Sequence, residues 1–277
     1  MKVGEVTTPR LRHSVVEAGT GEPLLLLHGF TGAKEDFADF VDGFADRGWH
    51  VLAPDLRGHG ASDHPPAEGD YSLRTFADDA WALVDELGWA SFHLLGHSMG
   101  GMVAQLVALD APERLHSLVL MDTAPGAVEG VDPDLAALAV AVAREEGMAR
   151  LADLYATVDT GPPAPSDARV RAERPGYVEF ADRKLRSSSP AMYAAMATEL
   201  LAADDRSDRL AGLGVRTLVV VGDEDVDFVG PSERLAAAIP GAELAVITGA
   251  AHSPQFENPD RWWKVVSGFL GAGVSAS

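Results

Sequence analysis

A serine flanked by glycines is the feature of this sequence that points most directly to chemistry. Residues 96–100 read Gly-His-Ser-Met-Gly, with Ser98 at the centre. An apolar run at 92–95 predicts a strand before the pattern, and residues 99–109 predict a helix after it. Glycines permit a sharp turn that presents a serine hydroxyl beside a helix N-terminus. The pattern therefore predicts that Ser98 is a nucleophile.

A nucleophilic serine needs a base, and the sequence offers nine histidines. His252 follows the apolar run at 244–247, in a loop that would return it to the carboxyl edge of a parallel sheet. We expect His252 to be the general base. His97 adjoins Ser98 in sequence but should point away from it, because a strand-to-helix turn separates neighbouring side chains.

The base needs an acid to hold its tautomer, and four acids crowd residues 223–227 after the apolar run at 218–221. We expect Asp225 to be this acid, with Asp223 turning the loop and Asp227 facing solvent. Asp122, which follows the run at 118–121, is the alternative. The expected order along the chain is nucleophile, acid, base: Ser98, Asp225, His252.

Two backbone N–H groups should stabilise the oxyanion that forms when the serine attacks. Met99 directly follows the nucleophile, and Phe30 lies in the His-Gly-Phe turn after the apolar run at 24–27. We expect these two amides to form the oxyanion hole. His28 should shape the loop that carries Phe30.

The chemistry-bearing residues lie in a chain that alternates strand and helix patterns. The apolar runs are unbroken, which is typical of strands covered by helices on both faces. They predict an α/β fold with a mostly parallel sheet, and the segments at 3–7 and 11–17 should add antiparallel edge strands. The alternation stops at about 125 and resumes at about 216. We therefore predict a core of residues 1–124 and 211–277, with a helical unit at 125–210 inserted between.

Composition excludes several classes of protein. The chain has 277 residues, no cysteine and a formal net charge of −20. It therefore has no disulfides or thiolate chemistry, and its acidity argues against nucleic acid as a partner. No run approaches the ~18 apolar residues of a membrane span, so we expect a cytoplasmic chain without membrane insertion. No dinucleotide, Walker or metal-ligand motif is present, so we expect neither cofactor nor metal.

These motifs together resemble the α/β-hydrolase superfamily over nearly the whole chain. Residues 99–102 and 111–115 are similar to those of 3-oxoadipate enol-lactonases and related cofactor-free perhydrolases. The resemblance implies that the inserted helices form a cap over the site and that the substrate is a small-molecule ester or lactone. The candidates for substrate binding are two histidines near the nucleophile and three bulky residues of the inserted helices: His28, His97, Tyr155, Tyr193 and Met196. The oligomeric state stays open.

Other functions remain possible on the same residues. A lyase resembling the menaquinone-pathway synthase, a C–C bond hydrolase or a perhydrolase could use the same triad, and a non-enzymatic receptor is a further class. A basic run at 169–186, with five arginines and one lysine, is either a solvated helix face or a site for a substrate carboxylate. The serine position disfavours the dehalogenases and epoxide hydrolases of the superfamily, because those enzymes use an aspartate nucleophile.

Overall fold

A computed structural model describes residues 1–158 and 162–271; residues 272–277 of the predicted core lie outside the described residues. The described chain forms one eight-stranded sheet with strand order β1-β2-β4-β3-β5-β6-β7-β8. Strands β3 to β8 are parallel to one another, and β1 and β2 extend the sheet in antiparallel pairing. The strands are β1 (Lys2–Thr7), β2 (Arg12–Ala18), β3 (Glu22–Leu27), β4 (Trp49–Pro54), β5 (Phe92–His97), β6 (Leu115–Met121), β7 (Thr217–Gly222) and β8 (Glu243–Ile247).

Alternate residues of each central strand enter two different cores. Along β3, Leu25 and Leu27 pack on one face of the sheet, and Leu24 and Leu26 pack on the other. Because both faces are covered, every residue of β5 and β7 is buried. This explains why the sequence shows unbroken apolar runs instead of alternation.

Helices cover the two faces of the sheet. One face carries α2 (Leu73–Glu86), α3 (Met99–Asp110) and α9 (Val226–Ala238), and the other carries α1 (Ala38–Ala45) and α11 (Pro259–Gly271). The sequence predicts a helix that begins at 232, after Pro231. Helix α9 begins six residues earlier, at Val226, and includes Pro231 in its second turn. Among the described residues, no helix is both long and apolar enough to cross a membrane.

The described residues between β6 and β7, where the sequence predicts the insertion, form five helices. Helix α4 is broken at Gly147, whose φ of 84° interrupts the helix. The sequence pattern predicts one helix over 168–185, and this prediction is wrong. Pro175 forces an extended Arg174, and Gly176 adopts a φ of 78°, so two helices form. The helices are α4 (Pro133–Tyr155), α5 (Pro165–Glu173), α6 (Tyr177–Arg186), α7 (Pro190–Leu200) and α8 (Ser207–Leu210).

The inserted helices pack partly on one another and partly on the sheet layer. Ala143, Leu151 and Tyr193 belong to a small core within the insertion, whereas Met192 and Met196 join the core beneath it. The two ends of the insertion meet, because the Arg206 N–H donates to the Pro125 carbonyl at 3.0 Å. Division of the chain into a core and a separate cap stays a prediction.

Candidate active site

Ser98 occupies a strained turn between β5 and α3. Its φ is 53° and its ψ is −119°, a combination that costs free energy for a residue with a side chain. Glycines make the turn possible: a Cβ on Gly96 would lie 2.2 Å from the Gly100 carbonyl oxygen, and one on Gly100 would lie 2.4 Å from that of Leu27. The sequence pattern thus fixes where the serine hydroxyl emerges.

The three residues predicted to form a triad meet at the carboxyl edge of the sheet. The Ser98 Oγ lies 3.0 Å from His252 Nε2, and His252 Nδ1 lies 2.8 Å from Asp225 Oδ2. The Nδ1 faces a carboxylate, which can only accept, so Nδ1 carries the proton and Nε2 is free to accept the serine proton. The arrangement can remove a proton from Ser98 and stabilise the resulting imidazolium.

Two neighbouring acids of the β7–α9 loop have other partners. The Asp223 carboxylate accepts the Gly249 N–H at 2.7 Å, and the Glu224 carboxylate accepts the Ser166 N–H of α5 at 2.7 Å. These contacts tie the acid loop to the histidine loop and to the inserted helices. Within the 223–227 run, Asp225 is the acid hydrogen-bonded to His252.

His252 is held from two further directions. The His97 Nε2 donates to the His252 carbonyl at 2.6 Å, and the Phe228 ring lies 4.7 Å from the imidazole centre. Phe228 was not predicted from the sequence, although its position three residues after Asp225 places it at the same end of α9. The base is therefore fixed in both its backbone and its ring.

The two amides predicted to form the oxyanion hole belong to Phe30, in the turn after β3, and to Met99, directly after Ser98. Among the main-chain hydrogen bonds of residues 1–158 and 162–271, neither the Phe30 N–H nor the Met99 N–H has a carbonyl partner. The turn that carries Phe30 is closed by a bond from Gly32 to Gly29 at 3.0 Å and by a left-handed Thr31 with φ 54°. Both amides are thus available to a ligand.

Asp122, the alternative acid, lies close to Asp225 and His252. Asp122, Asp225 and His252 offer atoms within 4.8 Å of one another, an arrangement that could also ligate a metal. Both ring nitrogens of His252 are already hydrogen-bonded, which favours proton transfer over metal binding here. The Asp122 Oδ1 accepts the Gly222 N–H at 2.9 Å, and its buried Oδ2 has no partner.

A large apolar pocket opens beside Ser98. Its volume is about 350 Å³ and its lining includes Phe30, His252, Tyr155 and Tyr193. The two tyrosine hydroxyls are hydrogen-bonded to each other at 2.6 Å, so one hydroxyl proton is shared between them and the other stays free to donate. The sequence did not predict the aliphatic lining that gives this pocket its character: Val128, Val131, Leu135, Leu200 and Leu201.

A second, more polar pocket of about 180 Å³ also reaches Ser98. The turn after β3, α6 and α10 (Pro254–Glu257) form its walls. His97 contributes to this lining, as does Gln255, which the sequence analysis did not single out. Ser98, Phe30 and His252 line both pockets, so a molecule bound at the serine can extend into each.

Two of the predicted substrate-binding residues are placed elsewhere. His28 is fully buried: its Nδ1 donates to the Gly29 carbonyl, and its Nε2 accepts the Leu56 N–H at 3.0 Å. It braces the turn that carries Phe30, and burial lowers its pKa. Met196 is also fully buried, in the core beneath α7. Neither residue lines the two pockets at Ser98.

The basic run at 169–186 is largely engaged within the protein. Arg171, Arg174 and Arg186 form ion pairs with acidic side chains, and Arg169 donates to backbone carbonyls. Only Lys184 of this run lines a pocket at Ser98, and it is paired with a carboxylate. These contacts favour an internal structural role for the run over binding of a substrate carboxylate.

Comparison with known proteins places the chain in a family. The family model described as the alpha/beta hydrolase fold matches residues 22–259. Lipase 3 of Moraxella sp. (strain TA144) is 30% identical over 86% of this chain and 74% of its own length. The 2-hydroxymuconate semialdehyde hydrolase of Pseudomonas putida is 32% identical over 96% of this chain and 93% of its own.

A solved structure is also similar to this chain over nearly its whole length. An enzyme described as degrading N-acyl homoserine lactones superposes with a TM-score of 0.79 at 30% identity, over 96% of this chain and all of that one. Ester, lactone and semialdehyde hydrolases are thus all among the similar proteins. The chain belongs to the alpha/beta hydrolase family.

Proposed function

We propose that the protein hydrolyses carboxylic esters or lactones through an acyl-enzyme on Ser98. The observation that carries this proposal is the hydrogen-bonded line from Asp225 through His252 to Ser98, at the wall shared by two pockets. Such a line joins a nucleophile, a general base and an acid that orients the base.

In the first half of the reaction, the Ser98 oxygen attacks the substrate carbonyl carbon while His252 Nε2 takes the serine proton. The carbonyl oxygen becomes an oxyanion and receives hydrogen bonds from the Phe30 and Met99 amides. The tetrahedral intermediate collapses by breaking the bond to the alcohol oxygen, and His252 returns its proton to that oxygen. The alcohol of an ester leaves, whereas the hydroxyl freed from a lactone stays attached to the acyl chain, and in both cases the acyl group remains on Ser98.

Water completes the cycle. His252 removes a proton from a water molecule, whose oxygen attacks the acyl carbon. The bond to Ser98 breaks, and His252 returns the proton to the serine oxygen. The products are an acid and an alcohol, or a hydroxy acid when the substrate is a lactone.

The pocket lining supports a neutral, apolar acyl or alkyl group. The large pocket is lined mainly by aliphatic and aromatic side chains, and its lining contains Asp132 but no lysine or arginine. The lipase and lactone-degrading relatives favour ester and lactone substrates.

Cleavage of a C–C bond is the second candidate, since the 2-hydroxymuconate semialdehyde hydrolase is similar over nearly the full chain. A C–C bond hydrolase of this kind needs an arginine beside Ser98 to hold a substrate carboxylate, and among the described residues neither pocket at the serine is lined by one. The pocket lining therefore favours ester or lactone cleavage. Assaying a dienoic keto acid beside an ester separates the two candidates.

Covalent labelling tests the nucleophile. A fluorophosphonate should modify Ser98, as located by peptide mass spectrometry, and Ser98→Ala should lose the label together with hydrolysis of p-nitrophenyl butyrate. We expect kcat to fall by at least about 10⁴-fold, as in other serine triads. Ser253→Ala, a neighbouring pocket serine, is the matched control and should keep its label. Unchanged turnover in Ser98→Ala would contradict the proposal.

A further inference from the structure

Two residues that line the smaller pocket at Ser98 carry buried polar atoms that have no hydrogen-bond partner among the described residues. Gln255 is 1% exposed, and neither its amide nitrogen nor its amide oxygen has a hydrogen-bond partner. Buried polar groups in folded proteins are nearly always paired, and an unpaired amide is costly. The side chain lines this pocket three residues after the catalytic-base candidate His252.

His97 supplies another such atom, and the structure fixes its chemical character. Its Nε2 lies 2.6 Å from the His252 carbonyl, which can only accept, so Nε2 carries the proton. Burial, followed by repulsion from His252, lowers the pKa of His97 to about 3, so the ring is neutral. Its buried Nδ1 is therefore an acceptor, and it has no partner.

The positive charge of Lys184 in this pocket is neutralised by a carboxylate of the protein. The Lys184 ammonium pairs with the Asp36 carboxylate at 2.5 Å, and Asp36 also accepts the Ala33 N–H. An anionic ligand would have to compete with this carboxylate for the lysine. The buried atoms without partners among the described residues of this lining are two acceptors, His97 Nδ1 and Gln255 Oε1, and the donor nitrogen of Gln255, Nε2. This set matches a neutral group that brings hydroxyl donors.

We propose that the smaller pocket binds a neutral, hydroxylated half of the substrate while the larger pocket holds an apolar half. The inference rests on the proposed ester hydrolysis, because Ser98 lies at the wall common to both pockets. The volume of about 180 Å³ is slightly above the ~150 Å³ of a cavity that holds benzene. A glyceryl group is of suitable size and carries the required donors.

Matched esters test this assignment on the wild-type protein. The first pair is 1-glyceryl octanoate against propyl octanoate, with hydroxyls on the alcohol. The second pair is octyl 2,3-dihydroxypropanoate against octyl propanoate, with hydroxyls on the acyl group. The smaller pocket takes either the alcohol or the acyl half, so we expect a preference in only one of the two pairs. In that pair kcat/KM should be at least about tenfold higher for the hydroxylated ester, because sites built for hydroxyls discriminate against analogues that lack them.

Two variants connect the preference to the pocket. Gln255→Leu should remove at least about tenfold in kcat/KM from the hydroxylated ester of the preferred pair, with its partner changed less than about twofold. Leu135→Ala, in the lining of the larger pocket, should change both members by a similar factor. Circular dichroism establishes that each variant is folded.

The outcomes separate this inference from the proposed function. Similar kcat/KM for all four esters, or an equal loss on all four in Gln255→Leu, overturns the pocket assignment and leaves ester hydrolysis in place. Turnover of none of the four esters or of p-nitrophenyl butyrate overturns both. If Gln255→Leu fails to fold, the comparison of the wild-type pairs still decides the question.

Discussion

Asp122 lies against Asp225, with its carboxyl fully buried and one of its oxygens without a hydrogen-bond partner in the protein. Burial and the neighbouring charge of Asp225 raise the pKa of Asp122 well above its usual value of 3.8, and Glu257 adds to the effect. A protonated Asp122 is a donor and can give a hydrogen bond to Asp225. The acid that orients His252 would then itself be oriented by a second acid.

Replacing Asp122 with asparagine tests whether it is protonated. Asparagine is neutral, has the same shape, keeps an N–H donor and tolerates the positive φ of 44°. We therefore expect Asp122→Asn to keep kcat/KM within about threefold and to leave the acidic limb of its pH profile in place. Movement of that limb to lower pH would mean that the wild type carries a negative charge at Asp122.

The same substitution should alter stability in a known direction. Because the pKa of Asp122 is raised on folding, its contribution to stability is complete below 3.8 and is lost as pH rises through the folded value. Asp122→Asn has no such loss and should therefore resist urea better than the wild type at pH 8. At pH 4 the two proteins should differ less.

Removal of Asp225 should reveal Asp122 as a reserve acid. In Asp225→Asn, burial still raises the pKa of Asp122, but the added effect of the neighbouring charge is gone, so Asp122 ionises more readily within reach of His252. We expect kcat to fall by about 10²-fold in the single variant and by about 10⁴-fold in the double variant Asp225→Asn with Asp122→Asn. Equal losses in the two proteins would exclude a reserve role.

The tight turn at the nucleophile predicts opposite effects for two glycine substitutions. Gly96→Ala places a Cβ 2.2 Å from a backbone oxygen and should lower the melting temperature strongly or prevent folding. Gly268→Ala, in α11 with nothing within 4 Å, is the control and should raise stability by roughly 0.5–1 kcal/mol. Thermal unfolding of both variants checks the contrast.

A buried histidine far from Ser98 should make the fold sensitive to acid. Burial, with a smaller effect of His116, lowers the pKa of His93 from 6.5 to about 3. The unfolded chain therefore takes up a proton below about pH 6.5 that the folded chain does not. Stability from this group is complete above 6.5 and is lost as pH falls toward 3.

Urea unfolding between pH 7 and pH 5 measures that loss. His93→Gln can still bond to the Ser117 hydroxyl, which lies 2.6 Å from the histidine Nδ1. We expect its unfolding free energy to fall less steeply over this range than that of the wild type. Parallel slopes would show that His93 does not contribute.

The sequence was most informative where chemistry and backbone geometry coincide. The strand-ending positions of Ser98, Asp225 and His252 follow from apolar runs, because parallel strands bring their carboxyl ends to one edge. Pocket residues on the inserted helices were harder to assign, because the apolar faces of α7 look alike in sequence. Tyr193 faces the pocket whereas Met196 faces the core, and packing decides between them.

Other features that were not predicted are nevertheless indicated by the sequence. The Pro175–Gly176 pair marks a helix break by rules that apply to any sequence. Gln255 and Phe228 lie within three residues of predicted site residues, so nearness in the chain could have pointed to them. The burial of His28 depends on the loop after β4, which comes close only in the folded chain.

The hydrogen bond between Arg206 and Pro125 closes the inserted helices into a loop whose two ends share one anchor. A segment anchored in this way can lengthen, shorten or change sequence while β6 and β7 keep their register. Ser98, Asp225 and His252 follow strands of the sheet. Much of the wall of the large pocket, in contrast, comes from the inserted helices. In proteins with this fold, changes in the inserted helices can therefore alter substrate preference without altering the residues that carry out the chemical step.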